Sequence, residues 1–362
     1  MSKHVSTHAM SGGLFEHHIA FVDRFFPTSE FQYNPYKGFP GTPKMMRRSL
    51  AKIGWSSKQI GKDPRRIKYF NEAGELVGKV YGVKISRHGQ DVDLVCRNKE
   101  ITKQTLANAG VPTPRGYALA PAFEQVGLRL SHTLRAPLVV KPTNSAVSKG
   151  VTVGVETKGE LREAWGHATQ FVSEDGLVLI EEQSIGFDLR TFVVDGKFVA
   201  GATRMQPFVV GDGESTVDQL IQEEKRRRVS HFQLAKYDLV VDRGVVTKQL
   251  GTPHYENAIL DARQILFLNG ATTLSTGAVT VEVTPFVCEE LRQIAGNAVA
   301  AIPGLEAGAV DMIVQSLDHA DNAVVLEVNT SPGLFMHASP AIGEPVMVTD
   351  AFCEYAKARA QG

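Results

Sequence analysis

Two short runs near the C-terminus, Ala309-Val310-Asp311-Met312-Ile313-Val314 and Val324-Val325-Leu326-Glu327-Val328-Asn329, read as paired strands joined by a polar turn. Residues two apart on a strand share a face. Glu327 and Asn329 therefore point one way, and Leu326 and Val328 are expected to point into the core. With the turn centred near His319, Asp311 falls opposite Glu327. Two carboxylates and an amide oxygen then converge. Repulsion between the carboxylates makes that costly unless a cation sits between them. Hard oxygen ligands suit Mg²⁺, which usually keeps water and substrate phosphates in its other positions. A solvated polar strand face is the competing account, because alternating strands with one wet face are common.

Upstream, Leu138-Val139-Val140-Lys141 reads as a strand that ends on a lysine, followed by the small polar loop Asn144-Ser145-Ala146-Val147-Ser148-Lys149-Gly150. Small residues let backbone N–H groups approach phosphate oxygens, and lysine adds a point charge. A mobile surface loop is the alternative. Neither a GxxxxGK[ST] loop nor a GxGxxG turn accompanies it. Next comes Glu181-Glu182-Gln183-Ser184-Ile185-Gly186-Phe187-Asp188-Leu189-Arg190. The two acids at a strand end suit an adenine amino group, Asp188 suits ribose hydroxyls, and Arg190 suits phosphate. Arg204, on the following strand, is placed to enter the same cleft. Surface ion pairs worth little to stability are the plainer reading.

Around these runs the chain alternates strand and helix signals. Helices are expected at Lys44–Ile53 and at Ile101–Ala109, the second stopped by Gly110. Thr157 and Glu160 form a capping box for a helix whose apolar face is Leu161, Ala164, Trp165, Ala168 and Phe171. Hairpins are expected over Asn71–Gly74 and over Asp195-Gly196. Ser215 or Thr216 caps a helix through Leu220 and Ile221. Glu289–Ala301 reads as an amphipathic helix, and residues 341–360 are expected to end in one. Lys225–Arg228 suits either a solvated basic face or an anionic substrate tail.

A length of 362 residues favours two or three domains or subdomains, and 43% hydrophobic with 22% charged residues is an ordinary globular balance. Lys plus Arg (39) cancels Asp plus Glu (39), so no basic field advertises nucleic acid or an anionic membrane as partner. Cys96, Cys288 and Cys353 lie far apart, without a CxxC pair, which suits ordinary thiols in a reducing cytosol. Met1–Gly13 lacks the apolar core of a signal peptide, and no apolar run approaches the ~20 residues of a membrane helix. A cytoplasmic location is expected.

In this order the pieces resemble the ATP-grasp family over about residues 96–345, and within it the ATP-grasp module of cyanophycin synthetases. Four stretches carry the likeness. Asn98-Lys99-Glu100-Ile101-Thr102-Lys103 precedes a helix and Gly110-Val111-Pro112. Val210-Gly211-Asp212-Gly213 is followed by Ser215-Thr216 and Leu220-Ile221. Leu274-Ser275-Thr276-Gly277 runs into Val283-Thr284. Glu327-Val328-Asn329-Thr330-Ser331-Pro332-Gly333 is followed by Met336-His337. The last run is also similar to the end of D-alanine–D-alanine ligases and of glutathione-synthesising modules.

The resemblance implies an α/β (α+β) ATP-grasp fold, in which two α/β subdomains clasp ATP beside an N-terminal α/β domain. The divisions are 1–95, 96–183 for the lid and 184–362 for the large subdomain. It implies ATP and two Mg²⁺ ions. Lys99 and Lys141 would hold phosphates under the loop containing Ser145, Ser148 and Gly150. Glu181, Glu182 and the backbone at Ser184 would read adenine, and Asp188 the ribose. Asp311, Glu327 and Asn329 would bind metal, and Arg190 and Arg204 would stabilise the transferred phosphoryl group.

Many family members carry an arginine where this chain has Ala309, so Arg190 and Arg204 are expected to supply that charge. The chain ends at residue 362 without the second, P-loop-bearing ligase domain of cyanophycin synthetases, so one ligation is expected rather than two. The implied chemistry joins an amino-acid or peptide carboxylate to an amine through an acyl phosphate. His337 is a candidate for touching substrate or deprotonating the amine, set against a packed histidine. No nucleic-acid or membrane partner is implied, and a homo-oligomer is allowed. A ligase that extends a protein or peptide chain, and a regulatory nucleotide-binding protein, are the alternatives.

Overall fold

The computed structural model describes residues 4–5, 15–26, 28, 30–82, 84–85, 88–144 and 149–361. Chain order begins with β1 (His4–Val5), α1 (Glu16–Phe25), α2 (Thr42–Lys52), the meander β2 (Ser56–Gln59), β3 (Arg66–Phe70) and β4 (Leu76–Tyr81), then α3 (Gln90–Arg97) and α4 (Lys99–Asn108). Helix α2 starts two residues before the expected Lys44, because Pro43 fits the first turn, where its missing N–H costs nothing. Asn98 caps α4 by accepting from the amides of Glu100 and Ile101.

The lid follows: β5 (Gly116–Leu119), α5 (Glu124–Leu130), β6 (Leu138–Pro142), β7 (Thr152–Val155), α6 (Lys158–Thr169) and β8 (Val178–Glu182). Its four antiparallel strands run in the order β5-β8-β6-β7. The Thr157–Glu160 capping box is present in both directions. Leu161, Ala164, Trp165 and Ala168 pack with Leu138, Val140, Val178 and Ile180 into the lid's own core. Phe171 does not continue that face. The helix ends at Thr169, and the 40% exposed ring instead lies over Gly150, where an added Cβ would sit 2.8 Å from it.

The chain leaves the lid through Gln183–Gly186. At Gly186 φ is +137°, and a Cβ there would run into the Val314 carbonyl, so only glycine makes this crossing. The remainder is β9 (Phe187–Val194), β10 (Lys197–Met205), β11 (Phe208–Val210), α7 (Val217–Arg228), α8 (Phe232–Lys236), α9 (Arg243–Leu250), β12 (Ile259–Leu260), β13 (Ile265–Phe267), β14 (Val279–Glu282), α10 (Glu289–Ala300), β15 (Ala307–Val314), β16 (Val324–Asn329), α11 (Phe335–Ala338) and α12 (Val348–Gln361). A five-stranded sheet of order β14-β10-β9-β15-β16 is its centre. Asp195 and Gly196, both left-handed at φ 53° and 68°, close the β9–β10 hairpin.

Alternation along β9 divides the sheet. Leu189 and Val193 face one core with α10 and α1, while Phe192 and Val194 face a second core built with α2, β2–β4 and α12. Residues 16–95 thus pack on both faces of the central sheet. A third core joins α7, α9 and residues 255–268 around the small β11–β13 sheet. The basic run on α7 divides as well. Lys225 and Arg226 are solvated, but Arg228 is buried, donates to Glu224 at 2.9 Å and also bonds the Gly277 carbonyl. Glu224 in turn accepts from the buried Tyr33 hydroxyl at 2.6 Å. Among the described residues, no helix is long and apolar enough to cross a membrane.

His18 on α1 sits among Phe15, Phe187 and Phe267. Burial, with His17 adding to it, lowers its pKa to about 4. The unfolded chain takes that proton near about pH 6.5. The contribution to stability is therefore full above the unfolded value and drains as pH falls toward the folded one. Urea unfolding of the native chain should lose about 2 kcal/mol between about pH 7.5 and pH 5 from this group. His18→Phe should lose that much less, and equal losses in both proteins would refute the assignment.

Candidate active site

The polar end of the central sheet is one cross-strand row. Glu327 on β16 pairs with Asp311 on β15, Asp311 with Arg190 on β9, Arg190 with Ala202 on β10, and Ala202 with Glu282 on β14. Asp188 and Arg204, each two residues from a member of the row, share its face. Arg190 donates to Asp311 through two bonds of 2.5 Å, and Arg204 donates to Asp188 through bonds of 2.7 and 2.5 Å. Both are fork-to-fork pairs, the geometry that fixes a guanidinium most firmly. Arg190 thus sets its charge beside Asp311, while position 309 is a buried alanine.

Asn329 turns its amide nitrogen to both acids, donating to Glu327 at 3.0 Å and to Asp311 at 3.1 Å. Burial and the neighbouring Asp311 raise the Glu327 pKa above the usual carboxylate range. Burial works against the Asp311 charge too, but Arg190 outweighs it and holds that carboxyl well below the range. Among the described residues no group of three or more His, Cys, Asp or Glu gathers as a metal cage. Two carboxylates and an amide nonetheless fit a hard cation that keeps water and phosphate in its other positions. A divalent ion would relieve the repulsion that raises Glu327, and rotating the Asn329 amide would offer its oxygen.

Leu326 departs from its expected place. The β15–β16 ladder slips between Asp311 and Met312, so Leu326 is an extra residue opposite no partner. Val325 and Val328 fill the core, while Leu326 lines a narrow cleft with Lys99, Lys103, Pro114, Lys141, Leu179 and Glu181. Its lining sets apolar side chains beside three lysines.

On the lid side, Glu181 bonds Lys141 and accepts from Lys103 at 3.4 Å. Lys99, the first residue of α4, has its backbone amide on the Thr143 carbonyl at 3.0 Å. Burial and Lys141 lower its pKa, against the pull of Glu327 and Glu181. Glu182 is not brought to this cleft. Consecutive strand residues face opposite ways, so Glu182 accepts instead from the Arg135 backbone amide at 3.1 Å and from its guanidinium. Ser184 lies half-buried in the crossing to β9, and Gly150 lies beneath Phe171. Ser145 and Ser148 fall outside the described residues.

Lys103, Leu326 and Asp93 were not singled out from the sequence. A turn after Lys99, Lys103 lies on the same face of α4 and could have been found by helical spacing. Leu326 could not, because the bulge has no local signature. Asp93 accepts from Lys84 and from Thr330, directly after the metal-type strand, and ties α3 to it.

The chain has the α/β ATP-grasp fold. It is 34% identical over 270 residues to the cyanophycin synthetase of Geminocystis herdmanii, covering 70% of this chain and 29% of that protein. It is 29% identical over 269 residues to the glutathione biosynthesis bifunctional protein of Enterococcus faecalis, covering 72% of this chain and 35% of that one. The crystal structure of a bifunctional glutathione synthetase from Pasteurella multocida shares the fold at a TM-score of 0.63 and 20% identity, over 88% of this chain and 43% of that chain. The chain therefore spans under a third of the length of that cyanophycin synthetase. No protein-family model matches it.

Proposed function

We propose that this chain is an ATP- and Mg²⁺-dependent ligase joining an amino-acid or peptide carboxylate to an amine, with release of ADP and phosphate. The observation that carries this reading is the single sheet face on which Arg190, Arg204, Asp311, Glu327 and Asn329 converge, adjoined by Lys99 and Lys141. Phosphoryl transfer asks a protein for positioning and charge neutralisation rather than a nucleophile. This face offers both.

In this reading Lys99 and Lys141 hold the nucleotide phosphates, and Glu181, now paired to Lys141, is released toward adenine as those phosphates arrive. Leu326 and Leu179 pack against the base. Asp188 keeps Arg204 aligned while its remaining lone pairs meet the ribose. Asp311, Glu327 and Asn329 would hold Mg²⁺, which would supply charge neutralisation for the phosphoryl group. The substrate carboxylate attacks the γ-phosphorus, and Arg190 and Arg204 stabilise the developing negative charge. The lid, swinging at Gly186, keeps water from the acyl phosphate. Three free cysteines suit a reducing, cytosolic setting.

A phosphate-release screen over pairs of amino acids and short peptides, read with mass spectrometry of the products, tests the reading. ADP and phosphate released only when carboxylate and amine are both present, with a product one water lighter than the pair, is the expected result. AMP and pyrophosphate would refute it.

A further inference from the structure

The cross-strand row extends beyond the groups used so far. Its fifth member, Glu282 on β14, lies two strands from Arg190 on the same face, with only Ala202 between them. Ala200 and Ala202 leave room above β10, and the His337 ring on α11 fills it. Nδ1 of His337 is 2.9 Å from Glu282 Oε2, and Phe192 on β9 meets the imidazole edge-on at 6.4 Å. The ring therefore has Nδ1 on Glu282 of β14 and the Phe192 ring of β9 beside it.

Glu282 is held in turn. Its Oε1 accepts from the Thr284 amide at 3.1 Å and from the Thr284 hydroxyl. A carboxylate accepts, so Nδ1 donates, and Nε2 is left with its lone pair. No described group bonds Nε2. A buried polar atom without a partner is rare enough to need a reason. The His337 backbone is fixed as well, its carbonyl accepting from Val346 at 2.8 Å. The ring sits eight residues past Asn329 at the end of the loop that leaves the metal-type strand.

We infer that His337 is the base for the incoming amine, with Glu282 as the positioning residue that fixes its tautomer; this rests on the ligase reading above. The acceptor arrives as an ammonium ion and has no lone pair to attack with. One proton passes to Nε2. The amine nitrogen then bonds the acyl carbon, and the C–O bond to phosphorus breaks with its electron pair leaving on phosphate. A second nitrogen proton goes to the departing phosphate, giving hydrogen phosphate, the amide and protonated His337. His337 is 1% exposed here. Catalytic contacts commonly form only with substrate present, so the acceptor amine meets Nε2 in the substrate-bound state.

The test separates a base from an anchor by changing the nucleophile. Hydroxylamine is largely unprotonated at neutral pH and needs no base. Wild-type chain and His337→Asn, whose amide keeps a donor for Glu282, are given ATP, Mg²⁺ and the pool of twenty L-amino acids, with or without hydroxylamine. His337→Asn should lose dipeptide formation by about 100-fold while hydroxamate formation stays within about twofold. Glu282→Gln should show the same split in milder form. Equal loss with both nucleophiles would make His337 an anchor only and overturn the inference, as would no loss with either. A wild-type chain that forms no hydroxamate from any carboxylate in the pool would overturn the ligase reading, and the inference with it.

Discussion

Glu327→Gln should lower ADP formation by about 1,000-fold, about 4 kcal/mol at the transition state, while leaving the metal-free fold as stable as before or more so. The two effects come from one cause. Without a cation, Glu327 is half-buried beside a charged Asp311, and burial together with that neighbour raises its pKa. A neutral amide of the same shape keeps the bond with Asn329 and removes the repulsion. With Mg²⁺ and ATP present the ranking should invert, because wild type gains a ligand-derived stabilisation that the variant lacks. Thermal unfolding with chelator and with Mg²⁺–ATP, beside ADP release, reads all three. A variant less stable than wild type in chelator would mean that Glu327 is an ordinary structural acid.

Arg190→Met carries the second large effect, on stability and activity together. Asp311 is buried, and its two oxygens each accept from Arg190 at 2.5 Å. Removing the guanidinium strands a buried carboxylate at a cost of about 3–5 kcal/mol. Phosphoryl transfer should fall by at least ~100-fold. Arg190→Lys keeps the charge but not the fork, and should recover part of the stability and little of the rate. The double variant Arg190→Met/Asp311→Leu removes both charges and should regain most of the stability without activity. Urea unfolding of wild type, Arg190→Met, Arg190→Lys, Asp311→Leu and the double variant checks the pattern. Additive losses in the double variant would show that the two residues are not a coupled pair.

The legible parts of this fold are those governed by local rules. The capping box at Thr157, the left-handed turn at Asp195-Gly196 and the stop at Gly110 stand where the sequence places them. The pairing of Asp311 with Glu327 follows from turn position and strand period. Other features depend on tertiary context. The bulge that turns Leu326 outward lies in the β15–β16 pairing and has no local signature. Glu182 was grouped with Glu181, yet strand alternation sends it to Arg135. Arg228 looked like part of a wet basic face because its partners, Tyr33 beside Glu224 and the Gly277 carbonyl, are remote in sequence. The row from Glu327 to Glu282 crosses five strands, so its last member has no signature near the motif that contains the others.

The most direct measurement follows oxygen. An amino-acid or peptide substrate carrying ¹⁸O in its carboxylate is turned over with ATP and an amine, and the released phosphate is weighed. If the carboxylate attacks the γ-phosphorus and the acyl–oxygen bond then breaks, one ¹⁸O moves into each phosphate formed. Phosphate free of ¹⁸O, or ¹⁸O found in AMP, would contradict an acyl-phosphate ligase.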